Sequence, residues 1–340
     1  MRLSSPGFGR RGLLAAGMSL AAPSIVRAQS AAVPVRYATG GGFGSSEIET
    51  VIFDAAMPRS ALPRMGHEYT LAMTYSAGSP QAAGMLAAGQ ADMTTLSCSA
   101  LAAALLKGAF ASGITIVSDN YQDGHTGYAS NGFYVPEDSP LKSIEDLRGK
   151  TVAINAFGSA VDLVLRVALK RHGIDPKKDL QVVEVGFPSI GSAIRQKRVD
   201  CGSLVLPFQA VEMANGGLRP LFSTADVFGP SSVIFNVVSN DFLKSHPDTV
   251  RAVLADYLSG LTWLSQPDNH AQAVSITAGL TKQPPEALAY VMTKKDYYRA
   301  PDGRVDASLI QKPIDALRDL GLLAGDVSVA QYVDMKYLPA

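Results

Sequence analysis

The sequence predicts an α/β protein in which two lobes, each a mostly parallel sheet with covering helices, face one another across a cleft. Three observations carry that expectation. Strand-like runs alternate with amphipathic helical runs, the pattern of βα units. The alternation starts afresh after residue 135. One helix–turn–strand–loop unit also occurs twice, as "MLAAGQADMTTLSCSA" at 85–100 and "IRQKRVDCGSLVLPFQ" at 194–209. Asp92 and Asp200 hold the same place in the two copies, and Cys98 and Cys201 fall one in each. Cysteines so placed belong to different lobes, and two free, buried thiols are expected rather than a disulfide.

Taken in order, "VRYATG" (35–40) reads as a strand, followed by a Gly/Ser loop and a helix from about Ser46. "YTLAMTYS" (69–76) is a strand leading to the helix in "AGSPQAAGMLAAG"; "DMTTLS" (92–97) leads to an Ala/Leu-rich helix at 99–107; "ITIVSD" (114–119) follows as a strand. In the second half, 137–150 reads as a short helix with Ser143 as N-cap and Asp146 at its third position. "TVAIN" (151–155) is a strand. Residues 159–173 form an amphipathic helix with Val161, Leu165, Ala168 and Leu169 on one face and Gly173 at its end. A strand at 180–186, a helix at 189–198 and a strand at 201–207 complete that lobe. Residues 232–243 read as extended, and 246–266 as a long helix, with helical patterns such as 310–321 thereafter. Right-handed crossovers gather the βα loops at the strands' C-terminal edges, where a small ligand binds.

The chain has 340 residues, 47% of them hydrophobic and 18% charged. That length suits two ordinary domains, and that apolar content a substantial core rather than wholesale disorder. Lys and Arg balance Asp and Glu at 30 each, which gives no support to nucleic-acid binding. Residues 1–28 read as an export signal. Arg2, Arg10 and Arg11 make a basic start, 12–22 is apolar but too short to span a bilayer, and "VRA" (26–28) offers a small-residue cleavage site. Arg10–Arg11 is similar to a twin-arginine motif, and an ordinary secretory signal carrying two arginines fits equally. Removing the segment takes away four arginines and no acids, leaving a net charge near −4. The expected product is soluble, periplasmic and monomeric.

Beyond the bulk pattern, "SPLKSIEDLRGKTVAI" and "GSAVDLVLRVALKRHGIDPKKDLQVVEV" resemble the second lobe of the nitrate/sulfonate/taurine-type periplasmic binding proteins of ABC importers. "AAGQADMTTLS" and "RQKRVDCGSLVLPFQAVEMANGG" resemble that family's two "xxGxxD" segments; 239–274 resembles its return segment and long helix, and "RVDASLIQKPIDALRDLGLL" its C-terminal cap. The resemblance covers nearly all of 33–338. It implies the type II periplasmic binding protein fold: two mixed or parallel sheets with covering helices and a hinge of two crossover strands, near 128–135 and 230–238. The first lobe would be 33–127 plus 231–340, and the second 128–230. It implies a protein that is not an enzyme. Such a protein captures a small acidic organic solute (a sulfonate, an aromatic carboxylate or similar) by hinge closure and delivers it to an ABC permease and its ATPase. Lys197 stands where the family usually has Gly, and Ser97-Cys98-Ser99 lacks a matching bulky group. "ATGGGFGSSE" and "LAAGQADMTTLS" also resemble the TAXI-type binding proteins of TRAP importers, whereas "HPDTVRAVLADYLSGLTWL" favours the ABC type. A pyrimidine-related enzyme on the same fold is the third reading, and the export signal opposes it.

Helix N-termini bind acidic oxygens through unpaired N–H groups without needing arginine. Four loops could present them. In "GGGFGSS" (40–46), Gly42 allows close approach, Phe43 an aromatic contact, and Ser45 or Ser46 a hydroxyl; a flexible connector is the plain alternative. Ser76 and Ser79 lie in "SAGSP", where Ser79 could equally be a cap. Ser97 and Ser99 in "LSCSA" cap a helix or touch ligand. Ser159 in "NAFGSA" opens the amphipathic helix and points into the expected cleft. Tyr75, Tyr121, Phe157, Phe187 and Phe208 also fall near strand ends and would suit an organic ligand, about half of them being structural. Gln209 follows Phe208 and could hydrogen-bond a solute. No HExxH, CxxC, EF-hand or GxSxG pattern occurs, and the five histidines are scattered, so no metal, cofactor or catalytic group is expected.

Overall fold

The computed structural model describes residues 31–41 and 47–339. Strands β1 (Val33–Thr39), β2 (Tyr69–Tyr75), β3 (Met93–Ser97) and β4 (Ile114–Asp123) belong to one five-stranded sheet. Strands β5 (Gly132–Pro136), β6 (Thr151–Ile154), β7 (Gln181–Glu184), β8 (Cys201–Leu204) and β9 (Leu218–Ser223) form a second, and β10 (Ser231–Ser239) returns to the first. The orders are β2-β1-β3-β10-β4 and β7-β6-β8-β5-β9. In each sheet three strands are parallel, and the antiparallel strand beside them, β10 or β5, is the one arriving directly from the other sheet. The chain therefore crosses between sheets twice, through 124–131 and 224–230. There the crossing segments touch: a Cβ at Gly124 would meet the Gly229 carbonyl oxygen at 2.2 Å, and both glycines have positive φ.

On the first sheet lie α1 (Ile48–Ile52), α2 (Ser79–Ala87) and α3 (Cys98–Leu106); on the second, α4 (Ala160–Arg171), α5 (Phe187–Arg195), α6 (Phe208–Asn215) and α7 (Thr224–Phe228). After β10 come α8 (Asn240–Ser245), α9 (Pro247–Ser265), α10 (His270–Thr281) and α11 (Ala307–Asp319). The face expected of α4 is buried: Val161, Leu165, Ala168 and Leu169 are each at most 4% exposed. Leu165 and Leu169 join Val152, Ile154 and Phe133 in the second sheet's core, where Phe133 stacks on Phe222 at 4.6 Å. Tyr37, Tyr69, Met93 and the buried side of α9 fill the first.

The repeated unit is structural at both ends. Asp92 donates its N–H to the Arg36 carbonyl (2.8 Å) and accepts the Arg36 N–H on Oδ2 (2.8 Å). Asp200 does the same to Thr151, at 2.9 and 2.8 Å. Each aspartate thus ties the start of β3 or β8 to its parallel neighbour. The preceding turns match too. Gln90 and Arg198 donate N–H back to Met85 and Ala193, and the residues before them, Gly89 and Lys197, sit at φ +65° and +55°.

Two local expectations are corrected. Residues 137–150 hold only a 3-10 turn at Glu145–Leu147. Asp146 is the acceptor there: its Oδ2 takes the N–H groups of Lys142 (2.7 Å) and Ser143 (3.0 Å), closing a side-chain turn that replaces a helix. The extended run at 232–243 stops at Ser239, whose hydroxyl accepts the Phe242 N–H and starts α8. Cys98 and Cys201 are free and buried, at the starts of α3 and β8. Burial pushes both thiols up, Cys98 to about 12.

Candidate functional site

A cavity lies between the two sheets, with about 500 Å³ of empty space including its open mouth. Loops at the ends of parallel strands build it. From the first sheet come Gly40 and Gly41 after β1 and Ser79 at the start of α2. From the second come Asn155, Ser159, Ala160 and Val161 after β6, Phe187 after β7, and Val205 and Leu206 after β8. Tyr121, Asn131 and Tyr297 wall it beside the crossing segments.

Among the loop serines, Ser79 and Ser159 reach the cavity wall. Ser79 is the first residue of α2, and its hydroxyl accepts the Ser97 N–H at 3.1 Å. Ser159 caps α4, accepting the Asp162 N–H (3.4 Å) while donating to Asn155 Oδ1 (2.9 Å). That cap leaves the N–H groups of Ala160 and Val161 without an intrahelical acceptor at a positive helix end, and both residues line the cavity. Phe187 also lines it.

The other residues singled out in the sequence sit elsewhere. Ser76 is buried and donates to the Thr39 carbonyl at 2.6 Å. Ser97 caps α3 below the wall. Phe208 is buried against Phe187, ring centroids 6.5 Å apart. Gln209 donates to the Tyr134 hydroxyl (2.6 Å) and the Ser130 carbonyl (3.2 Å). Phe157 is 46% exposed in an outer groove, 5.9 Å beneath the Arg166 guanidinium. Gly42, Phe43, Ser45 and Ser46 lie outside the described residues, as do residues 1–28, where an export signal is expected.

Glu47, Asn131 and Tyr297 were not singled out by sequence reasoning. Glu47 is 9% exposed and lines the cavity, with the fully buried Glu49 behind it. The Thr95 hydroxyl lies 3.1 Å from Glu47 Oε2 and 3.2 Å from Glu49 Oε1, and Asn120 Nδ2 donates to Glu49 Oε2 at 2.7 Å. Burial first, and then the Glu49 carboxylate, holds the Glu47 acid well above the ordinary carboxylate range. Opposite, Tyr297 stacks on Tyr121 with centroids 4.4 Å apart, donates to Asn131 Oδ1 (2.5 Å) and accepts the Leu206 N–H (2.8 Å). Burial pushes both phenols up. The one signal that could have found Glu47 is its place at the end of the Gly/Ser loop after β1. Tyr297 has no such flag, since it reaches the wall from an irregular segment far along the chain.

Contacts close the lobes over this space. The Ser99 hydroxyl, at the start of α3, donates to the carbonyls of Gly158 (2.8 Å) and Ser159 (3.1 Å), and Asn155 Nδ2 donates to the Ala77 carbonyl (3.3 Å). No histidine or cysteine is among the described residues of the wall. Among the described residues, no group of three or more His, Cys, Asp or Glu could hold a metal ion.

The fold is that of periplasmic binding proteins. The nitrate-binding protein NrtA from Synechocystis PCC 6803 superposes with a TM-score of 0.69 at 13% identity, over 90% of this chain and 87% of that one. The alkanesulfonate-binding protein SsuA from Xanthomonas axonopodis pv. citri, solved with MOPS, gives 0.68 at 17% identity, over 90% and 99%. A curated relative from Escherichia coli (strain K12), named for binding aliphatic sulfonates, is 25% identical over 201 residues, 58% of this chain and 61% of its own length. This chain thus spans about three-fifths of that relative. Its name, like those of the two structures, is a binding protein's rather than an enzyme's. The family model described as NMT1/THI5 like matches residues 70–270, more than half of the sequence. By that match the chain belongs to the NMT1/THI5 like family.

Proposed function

We propose that this protein is the periplasmic solute-binding component of an ABC importer, taking up a small organic molecule in the cavity between its lobes. One observation carries the reading: the cavity wall is shared by both sheets, so a solute there contacts both and favours the shut form. The wall is largely aromatic and aliphatic, which suits an organic body. The N-terminus of α4 offers two amides to an acceptor oxygen, whether carboxylate, sulfonate or carbonyl. The leader expected at 1–28 supports export, and the sulfonate-binding names of the relatives support an acidic group on the solute. Delivery to a permease and its ATPase follows from the family reading, with the lobes at 33–127 plus 231–340 and at 128–230 moving about the crossing segments.

The test is a thermal-shift screen of alkanesulfonates, aromatic carboxylates and aminated aromatics. A solute at a hundredfold over its Kd stabilises by about 2.7 kcal/mol. Ser159→Trp fills the cavity and should abolish the shift of any solute bound there. A shift that survives this substitution removes the cavity from the function.

A further inference from the structure

We infer that the cavity selects solutes carrying a protonated or hydrogen-donating nitrogen, with Glu47 as the group that recognises it. The inference rests on the cavity being the solute site and adds the chemistry of what enters it. Its basis is the arrangement of donors and charges on the wall. Glu47 is more than nine-tenths buried yet reaches the cavity, and Glu49 lies directly behind it. Among the described residues the pair has few donors. Thr95 carries one hydroxyl proton for two carboxyl groups, and Gly40 already donates its N–H to that hydroxyl at 2.7 Å, so Thr95 turns its only proton towards the acids. Asn120 serves Glu49 alone. Among the described residues, Glu47 is left with a share of Thr95, the backbone N–H of Gly41, the Glu49 carboxyl and the cavity itself.

Burial and Glu49 favour the protonated Glu47 acid in the empty cavity, and no cation on the described wall offsets this. Among the described lining residues there is neither lysine nor arginine. The nearby Arg299 is buried and bound to Asp296 at 3.1 Å, with its guanidinium 6.0 Å from the Tyr297 ring centroid. An acidic group brought against Glu47 would supply no positive charge to offset the pair and would leave the proton where burial holds it. An ammonium, amidinium or ring amine would instead gain a charge-assisted hydrogen bond there. An acceptor group on the same solute would be oriented away from Glu47, towards the amides of Ala160 and Val161. The wall is therefore polarised, with acceptors on the β1 side and donors at the start of α4.

The experiment measures Kd by calorimetry for benzoate, benzylamine and 4-(aminomethyl)benzoate against the wild-type protein, Glu47→Gln and Ser159→Trp. A charged hydrogen bond is typically worth about tenfold or more in affinity. We expect 4-(aminomethyl)benzoate to bind at least about tenfold tighter than benzoate. Glu47→Gln should erase that difference while leaving benzoate unchanged or improved, and Ser159→Trp should abolish binding. If benzoate binds as tightly as the amines and Ser159→Trp still abolishes it, nitrogen selection is overturned and the cavity stands. If amine binding survives Ser159→Trp, the cavity itself is wrong. If no nitrogen-bearing probe binds the wild-type protein at millimolar concentration, the inference also falls. The wild-type comparison decides the matter even if Glu47→Gln fails to fold.

Discussion

Asp123 shows how much a single buried oxygen can matter. Its Oδ2 accepts the Asn131 N–H at 2.8 Å where the chain leaves the first sheet, while Oδ1 is buried without a hydrogen-bond partner. Burial raises its carboxyl to about 6, against the lowering effect of Ser130, Asn131 and Gly124. Asp119, which accepts the Ser232 hydroxyl, is likewise raised by burial to about 6. Folded pKa values above the unfolded range of about 3.9 mean that the folded state binds the extra protons. Their contribution is therefore favourable at low pH and is lost as pH rises from about 4 through about 6. Asp123→Asn keeps an acceptor for Asn131 and places a donor where Oδ1 is orphaned, next to the Ser130 and Thr224 hydroxyls. We predict a gain of about 1–3 kcal/mol at neutral pH, shrinking towards pH 4, in denaturant melts. Parallel wild-type and variant curves across that range would refute it. Legibility at this scale was uneven. Ser159 was readable because a serine after a strand and before an amphipathic helix has few other roles. Ser76 and Ser97 carried the same signal and are spent on backbone, a choice made by tertiary packing. Glu47 looked like an ordinary acid entering a helix, since only the folded chain buries it beside Glu49 and Thr95.

At the scale of elements, the helix–turn–strand repeat was plain in the sequence, and its meaning came from hydrogen bonds. Asp92 and Asp200 are not ligand groups; each reproduces a backbone pair across parallel strands. Asp200→Ala should cost about 0.5–1.5 kcal/mol, the net worth of a solvent-exposed hydrogen bond from the Thr151 N–H. Asp200→Asn, which keeps an oxygen in reach, should cost less; equal losses in chemical denaturation would contradict this account. The same unit contains a local flaw. Lys197 holds the left-handed position that Gly89 fills in the first copy, at roughly 1–2 kcal/mol for a non-glycine residue. Lys197→Gly should therefore raise stability by about 0.5–1 kcal/mol, after the entropy cost of glycine in the unfolded chain. A loss of stability would mean that the lysine side chain contributes more than its backbone strain removes. The expected helix over 137–150 failed because the N-cap pattern is symmetric on paper. A serine followed by an acid three residues on also describes Asp146 capturing Lys142 and Ser143, and Pro140 and Gly149 leave too little chain for a helix to compete.

The whole molecule is two sheets of the same strand order that exchange one strand's worth of connection and shut over a shared cavity. Alternation of strands and helices, restarting halfway, made that architecture legible. What no local pattern shows is which residues meet across the gap. Ser99 is one latch, reaching Gly158 and Ser159 from α3, with Asn155 to Ala77 alongside it, while Tyr297 bonds Asn131 and Leu206, and Leu317 of α11 packs into the second sheet's core. Ser99→Ala removes the first of these and should shift the solute-free protein towards an open form without unfolding it. The central claim, that a solute draws the lobes together, is tested most directly by small-angle X-ray scattering of Ser99→Ala with and without the solute giving the largest thermal shift. The account predicts a smaller radius of gyration on binding. A radius that stays the same or grows while the solute is bound would contradict it.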